Sequence, residues 1–435
     1  MKKFFWNELS LAERKAVLSR PAAATDPEKV AAVRAILDHV CQKGDEAICG
    51  YTRRFDGYDP EPLLLSDAER SPADTLPDSL RRAIDAAYAN ICRFHEKQGY
   101  QSFSIETLPG LACARHVVPV EKIGLYIPGG TAPLLSTVLM LGVPSQIAGN
   151  PQRILFTPGD RQGRIHPAIL YAARLCGIDR IARVGGAQAI AAMAYGTQTL
   201  PAVDKIFGPG NAYVTLAKTM VAQEPGGPAI DMPAGPSEVL VIATDETPPA
   251  FAAADLLSQA EHDAASQVVL LAIDEKTCDR ILQETMRQLE SLPRRDIASK
   301  ALEGSRAIIV DSLDQAFEIS NAYAPEHLIL CFPDAEKYKA RVINAGSVFS
   351  GFYTPESLGD YASGTNHVLP TAAAARAYSG LSVEAFQKTI TWQSATPQGL
   401  QVIGPAVIEM ARAETLDAHA RAVSVRLEKK DDQAH

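Results

Sequence analysis

Apolar and polar positions divide the chain into stretches of different rhythm. Over residues 26–43 and 77–97 apolar side chains recur at helical spacing, and the first 110 residues or so read as mostly helical. Residues 58–74, rich in Asp, Pro and Ser, read as a connection between them. Near residue 117 the pattern changes to short β-rich runs, each ending in a glycine turn. Residues 123–127 run into Pro128-Gly129-Gly130, residues 154–156 into Thr157-Pro158-Gly159, and residues 181–184 into Gly185-Gly186. Residues 205–207 run into Gly208-Pro209-Gly210-Asn211. The third and fourth turns lead into Ala-rich helical stretches. Strand, glycine turn and helix in that order predict a parallel α/β arrangement.

The rhythm resumes after Ala234. Residues 239–243, 268–272, 307–310 and 328–331 are predicted strands, with helical stretches at 251–265, 276–292 and 313–322. Beyond residue 381 the pattern is helical again, broken at Pro397 and Gly404, and the charged tail LEKKDDQAH reads as a solvated end. No repeat of fixed period stands out. The expected class is α/β: two doubly wound, Rossmann-like parallel-sheet domains with helical N- and C-terminal extensions. The expected limits are 1–25 for an N-terminal helical segment packed with the C-terminal part. Residues 26–123 with 237–381 form a first, discontinuous α/β domain, 124–236 a second, and 382–435 the C-terminal extension.

Composition narrows the class of protein. At 435 residues the chain exceeds one ordinary core, and about two to four domains are expected. With 46% hydrophobic and 21% charged residues it suits a soluble globular protein. A net charge of -9 argues against a basic face for nucleic acid. The seven cysteines are odd in number and form no CxxC pair, against a disulfide framework or a Cys-rich zinc site. The N-terminus, MKKFFWNELSLAERK, has no signal-peptide core, and no apolar run approaches the ~20 residues of a membrane span. A cytoplasmic location is expected.

Several groups of residues are candidates for chemistry. The glycine turns expose backbone N–H groups at helix N-termini, which suits a phosphate, although none matches GxGxxG and such turns are also generic connectors. Gln259 and His262, three apart, share a helical face; an imidazole is a good zinc ligand and an amide oxygen an unusual one. Glu261 points about a quarter-turn away. Asp360 lies in the loop GDYASGTNH and His419 in the helical stretch ETLDAHARAV. Nothing in their spacing joins these four, and Gln259 with His262 reads equally as a polar helix surface. Glu326-His327 follows Pro325 at the entry to a strand, where a carboxylate beside an imidazole suits two proton transfers in succession, or is a surface pair. His367 and Glu356 share the neighbouring loop and are ambiguous. His39, His95, His116, His166 and His435 have no local partners and read as structural or surface residues.

Taken together, GLYIPGGTAPLLSTVLMLGVP, RVGGAQAIAAMAYGT, VDKIFGPGNAYV, AIDMPAGPSEVLVIA, DLLSQAEHD, YAPEHLIL and PESLGDYASGTNHVLPT resemble the histidinol dehydrogenase family, in the family's order over residues 124–371. Weaker similarity reaches both ends. The resemblance implies a zinc-dependent, NAD-linked oxidation of L-histidinol through L-histidinaldehyde to L-histidine, the last step of histidine biosynthesis. It implies one zinc per subunit, held by Gln259, His262, Asp360 and His419, with Glu326 and His327 as proton acceptors. Ser237 and Glu414 match substrate contacts, joined by Gln259, His262, His327, Asp360, His419 and His367. Tyr126, Gln188 and Asn211 match NAD-binding positions, which makes 124–236 the NAD domain. The resemblance also implies a homodimer in which His419 and Glu414 are shared across the interface. Departures are small: AASQ follows DLLSQAEHD, and the 370s and 390s are less recognisable.

Rival readings are a zinc and NAD alcohol dehydrogenase acting on another substrate, a zinc hydrolase, and a non-catalytic metal-binding interaction protein. The joint presence of Ser237, Glu326, His327, His367 and Glu414 favours histidinol. A hydrolase leaves the glycine loops, Gln188 and Asn211 without purpose, and HExxH is absent.

Overall fold

The computed structural model describes residues 1–20, 27–129, 133–232 and 235–428. Gly130, residues 21–26 of the expected N-terminal segment and its junction, and residues 429–435 of the C-terminal extension therefore lie outside the described residues. The strands, in chain order, are β1 (Lys2–Phe5), β2 (Phe103–Leu108), β3 (Leu111–Pro119), β4 (Lys122–Tyr126), β5 (Gln152–Phe156), β6 (Arg180–Ala182) and β7 (Lys205–Phe207). They continue as β8 (Ala229–Ile230), β9 (Glu238–Ala243), β10 (Gln267–Ala272), β11 (Arg306–Ile309), β12 (His327–Cys331), β13 (Ser347–Ser350) and β14 (Gln387–Ala395).

The chain divides into two units. The larger, residues 1–98 and 120–385, holds two parallel sheets. One has the order β6-β5-β4-β7-β8, the other β1-β11-β10-β9-β12-β13. The strand order reverses between β4 and β7 in the first sheet and between β9 and β12 in the second. This is the doubly wound topology expected of the repeating strand–turn–helix pattern. Burial on both faces explains the unbroken apolar runs. Val239, Val241, Val268 and Leu270 enter one core of the six-stranded sheet, while Leu240, Ile242, Val269 and Leu271 enter the other. The flanking helices bury one stripe each: Glu275–Leu289 buries Thr277, Cys278, Ile281, Thr285 and Leu289, and the Asp274 side chain caps it by accepting from Thr277 N–H at 2.8 Å.

Three expectations need correction. The N-terminal segment is not simply helical: Lys2–Phe5 forms β1, which pairs with β11 at the edge of the six-stranded sheet, and only then does the helix Leu11–Leu18 follow. Trp6 and Val17 bury against that sheet. Four residues carry too little periodicity to announce an edge strand. Within the larger unit, the first helices of the expected 26–123 plus 237–381 domain cover the five-stranded sheet, the sheet of 124–236. Val33, Ile36, Leu37 and Val40 of the helix Pro27–Lys43, with Ile48 of Asp45–Phe55, pack with Tyr126, Ile154 and Phe156 in the core of the five-stranded sheet. An amphipathic stripe shows that a face is buried, not which sheet buries it.

The third correction concerns the smaller unit, residues 99–119 and 386–435. It contains an antiparallel sheet of order β14-β3-β2 and the helices Pro397–Ala413 and Asp417–Glu428. The region after 381 is thus not purely helical, and the stretch before 110 already includes β2. Phe103, Ile105, Ile390, Trp392, Val402 and Met410 of this unit are exposed.

Candidate active site

Five segments of the larger unit bring their polar residues to the amino ends of the six-stranded sheet. Ser237 immediately precedes β9, His262 lies on the turn before β10, Glu326 and His327 open β12, and Ser347 opposite His327 opens β13. The helix Glu356–Tyr361 adds Glu356 and Asp360. Ligands of open parallel sheets ordinarily gather at carboxyl ends, so this cluster is a departure built by the turns. Ala324, at φ 53°, reverses the chain after the helix Leu313–Tyr323 and aims Pro325-Glu326 at β9. Gly346 lets β13 approach: a Cβ there would lie 2.6 Å from the Glu326 carbonyl oxygen.

His327 is the centre. Its Nδ1–H donates to the Glu238 carbonyl at 3.0 Å. Nδ1 lies 3.6 Å from Glu326 Oε2 and 3.7 Å from Glu356 Oε1, and Nε2 lies 3.7 Å from Asp360 Oδ1. Glu238 also donates its backbone N–H to Glu326 Oε2 at 2.8 Å. One peptide segment therefore orients both residues of the Glu326-His327 pair. The Glu238 side chain is itself held by the Arg20 guanidinium through both carboxylate oxygens, and by Ala372 N–H at 3.0 Å. Arg20 stacks 3.9 Å from the Tyr323 ring centre and donates to the Tyr323 carbonyl at 2.9 Å, tying β9 to the turn that carries Glu326.

The charges are poorly balanced. Glu326, Glu356 and Asp360 surround a single imidazole. Burial pushes Glu326 up to about 7 and Glu356 up to about 8, against the pull of His327. Burial alone would lower His327, but Glu356, Glu326 and Asp360 hold it well above the usual histidine range. Burial alone would raise Asp360, but the neighbouring His327 holds it below the usual range. Three carboxyl groups around one base invite a cation. His327, Glu356 and Asp360 each present a ligand atom within 4.8 Å of the others.

Gln259 supplies a further sign. It is fully buried on the helix Pro249–Ala260, and neither its amide oxygen nor its nitrogen has a partner among the described residues. Asp255, one turn earlier on the same face, lies beside the Glu356 backbone, so this face looks toward the Glu356–Tyr361 helix. An orphaned buried amide is expensive unless something is meant to meet it. His262 is coupled electrostatically to Asp360 and His327. The donor set of amide oxygen, imidazole and carboxylate fits a zinc ion with an open position.

The sequence-predicted residues divide as follows. Gln259, His262, Glu326, His327 and Asp360 belong to this region of the larger unit, with Ser237 at its edge. His367 has both nitrogens occupied, Nδ1 by the Asp360 carbonyl at 2.8 Å and Nε2 by Thr137 Oγ1 at 3.2 Å. It fastens the Asp360 segment. Glu414 and His419 belong to the smaller unit, where both are exposed. Sequence reasoning left Glu356 ambiguous and missed Glu238, Arg20 and Asp255. The available signal was a glutamate opening the otherwise apolar strand EVLVIA.

Tyr126, Gln188 and Asn211 meet elsewhere, on the wall of one cavity of about 1630 Å³ at the carboxyl ends of the five-stranded sheet. Tyr126 ends β4, and its hydroxyl accepts the Gly186 N–H at 3.1 Å where the helix Gly186–Tyr195 begins. Gln188 is buried and its Nε2 has no partner among the described residues. Asn211 caps the helix Ala212–Ala222, accepting from Tyr213 and Val214 N–H at 3.0 and 3.1 Å. Gly208 sits at φ 116°, and a Cβ there would lie 2.1 Å from the Tyr126 carbonyl oxygen. The buried Lys218 donates to the Gly208 carbonyl at 2.8 Å and to Asp231, so an ion pair shapes this loop. Two helix starts facing a cavity at a strand-order reversal form a site suited to a dinucleotide.

Comparison with known proteins agrees with this geometry. Residues 19–427 match the sequence profile of the histidinol dehydrogenase family. A histidinol dehydrogenase of Bacteroides thetaiotaomicron is 52% identical over 412 residues, covering 94% of this chain and 96% of that protein. One of Aliivibrio fischeri is 50% identical over 430 residues, covering 99% and 97%. The crystal structure of histidinol dehydrogenase from Elizabethkingia anophelis superposes with a TM-score of 0.93 at 49% identity, covering 98% of both chains.

Proposed function

This chain belongs to the histidinol dehydrogenase family, and we propose that it oxidises L-histidinol through L-histidinaldehyde to L-histidine as a zinc-dependent, NAD-linked homodimeric enzyme. The observation that carries the reading is the arrangement around His327: Nδ1–H is committed to the Glu238 carbonyl, and Nε2 has no hydrogen-bond partner among the described residues. In the neutral ring the proton therefore stays on Nδ1 and Nε2 is the basic nitrogen, a state that a cation offsetting the surrounding carboxylates would favour.

In this reading Gln259, His262 and Asp360 hold zinc, with His419 as fourth ligand from a second copy. When bound, zinc supplies a charge that offsets the three carboxylates and a fixed point for the substrate's imidazole and amine. When bound in the cavity of Tyr126, Gln188 and Asn211, NAD supplies the hydride acceptor, once for each of two oxidations. His327 Nε2 takes the alcohol proton in the first. Glu326, held by the Glu238 N–H, then removes a proton from the water that adds to the aldehyde. Ser237 and Glu414 contact the substrate, and the enclosed site keeps the aldehyde from side reactions. The dinucleotide half is formed by residues 124–236 together with the helices Pro27–Lys43 and Asp45–Phe55 that share its core.

The homodimer is supported by the exposed side chains of the smaller unit. Trp392, Val402 and Met410 are 65%, 68% and 66% exposed, apolar side chains that a second copy would cover. No helix of the described residues is long and apolar enough to cross a membrane, and a cytoplasmic location is part of the reading. The test is direct. The purified protein is given L-histidinol and NAD, NADH is followed by absorbance, and zinc is measured in the same sample. Two NADH per histidinol and stoichiometric zinc are expected. Turnover of other alcohols but not histidinol would overturn the substrate, and absence of NADH formation with every alcohol would overturn the reaction.

A further inference from the structure

The cavity of Tyr126, Gln188 and Asn211 has one more polar side chain that its neighbours leave unsatisfied. Asp56 lies on its wall, directly after the helix Asp45–Phe55. Its backbone N–H donates to the Thr52 carbonyl at 2.8 Å, which fixes the segment. Its Oδ2 is buried and has no hydrogen-bond partner among the described residues.

This is an unfavourable place for a carboxylate. The C-terminal end of a helix carries partial negative charge and favours Lys or Arg. Of the two arginines beside Asp56, Arg53 bonds Asp59 at 3.1 and 3.2 Å, and Arg54 lines the same cavity 5.3 Å from the Phe55 ring centre. Of the three other arginines on the cavity wall, Arg161, Arg164 and Arg183, the second is paired with Asp160 and the third with Glu69. Burial raises the Asp56 carboxyl above its ordinary range, and its charge reaches the Tyr126 hydroxyl. A buried carboxylate oxygen without a protein donor is complete only when something in the cavity donates to it.

We propose that Asp56 binds a ribose diol of the dinucleotide and makes the enzyme select NAD over NADP. A vicinal diol offers two neutral donors to a carboxylate's two oxygens, whereas a 2′-phosphate in their place offers only negative charge. The proposal rests on the reading that this cavity takes NAD.

The experiment measures binding of NAD, NADP and ADP-ribose to the full-length protein by calorimetry, and their KM values in the histidinol assay, for wild type, Asp56→Asn and Asp56→Ala. Thermal melting confirms that each variant is folded. Expected is a rise of about tenfold or more in Kd and KM for NAD and in Kd for ADP-ribose in both variants, the size of one lost charge-assisted hydrogen bond. The preference for NAD over NADP should fall by at least as much, while KM for histidinol stays within about twofold. Both variants binding NAD like wild type, with unchanged preference, would overturn the role of Asp56 and leave the cofactor reading standing. Wild-type protein that binds neither NAD nor ADP-ribose would overturn both.

Discussion

Replacing Arg20 by methionine tests whether the brace behind Glu238 holds the active site together. In the native protein the Arg20 and Glu238 side chains are 16% and 2% exposed, and the guanidinium engages both carboxylate oxygens, the Tyr323 and Ala324 carbonyls and the face of the Tyr323 ring. Arg20→Met keeps the aliphatic bulk and leaves the Glu238 carboxylate buried with the Ala372 N–H as its one remaining hydrogen bond of this set. Removing one partner of a buried pair costs about 3–5 kcal/mol, because the other charge stays desolvated. The double variant Arg20→Met with Glu238→Gln leaves no buried charge, so its loss should be smaller than either single loss, with a coupling of about 2 kcal/mol or more. Urea unfolding of the four proteins measures this; guanidinium is avoided because it can occupy the vacated site. Activity should fall as well. Glu238 carries the hydrogen bonds that aim His327 and Glu326, and a shift of about 1 Å in such groups is worth on the order of 100-fold in rate. Arg20→Met within about 0.5 kcal/mol of wild type, or a double variant whose losses simply add, would refute the brace.

Three further outcomes are expected. Glu326→Gln should spare oxidation of the alcohol much more than oxidation of the aldehyde, measured by supplying each separately; equal losses would contradict the division of roles. Chelation should abolish turnover and zinc restore it, and Gln259→Ala should weaken zinc retention on the order of tenfold or more by metal analysis, so a verified metal-free sample with full activity would remove zinc from the mechanism. Mixing inactive His327→Ala and His419→Ala proteins under subunit exchange should restore about a quarter of wild-type activity, since half the dimers would then carry one intact composite site; no recovery despite demonstrated exchange would place each site within a single chain.

The legible part of the site was its chemistry and its local settings. Pro325-Glu326-His327 before an apolar run announced a turn entering a strand, and β12 begins at His327. Gly185-Gly186 and Asn211 announced helix starts, and both helices begin there. His367 shows the limit. Its sequence neighbourhood gives no sign of its two partners, the Asp360 carbonyl seven positions away and Thr137, 230 positions away.

By itself the sequence determined what depends on near neighbours. Strand period, glycine turns, helix caps and the residue types able to bind metal or move protons are all set within about one or two turns of chain, where backbone sterics and local hydrogen bonds act. Only the tertiary structure decided which sheet the helix Pro27–Lys43 covers, that Lys2–Phe5 closes an edge, and that Arg20 reaches Glu238 across 218 positions. It also decided that Glu356 crowds His327 and that Asp56 Oδ2 and the Gln259 amide are buried without partners among the described residues. Apolar pattern states that a face must be covered, and charge states that a partner is needed. Which face and which partner follow from the packing of the whole chain, because burial sets the strength of both demands.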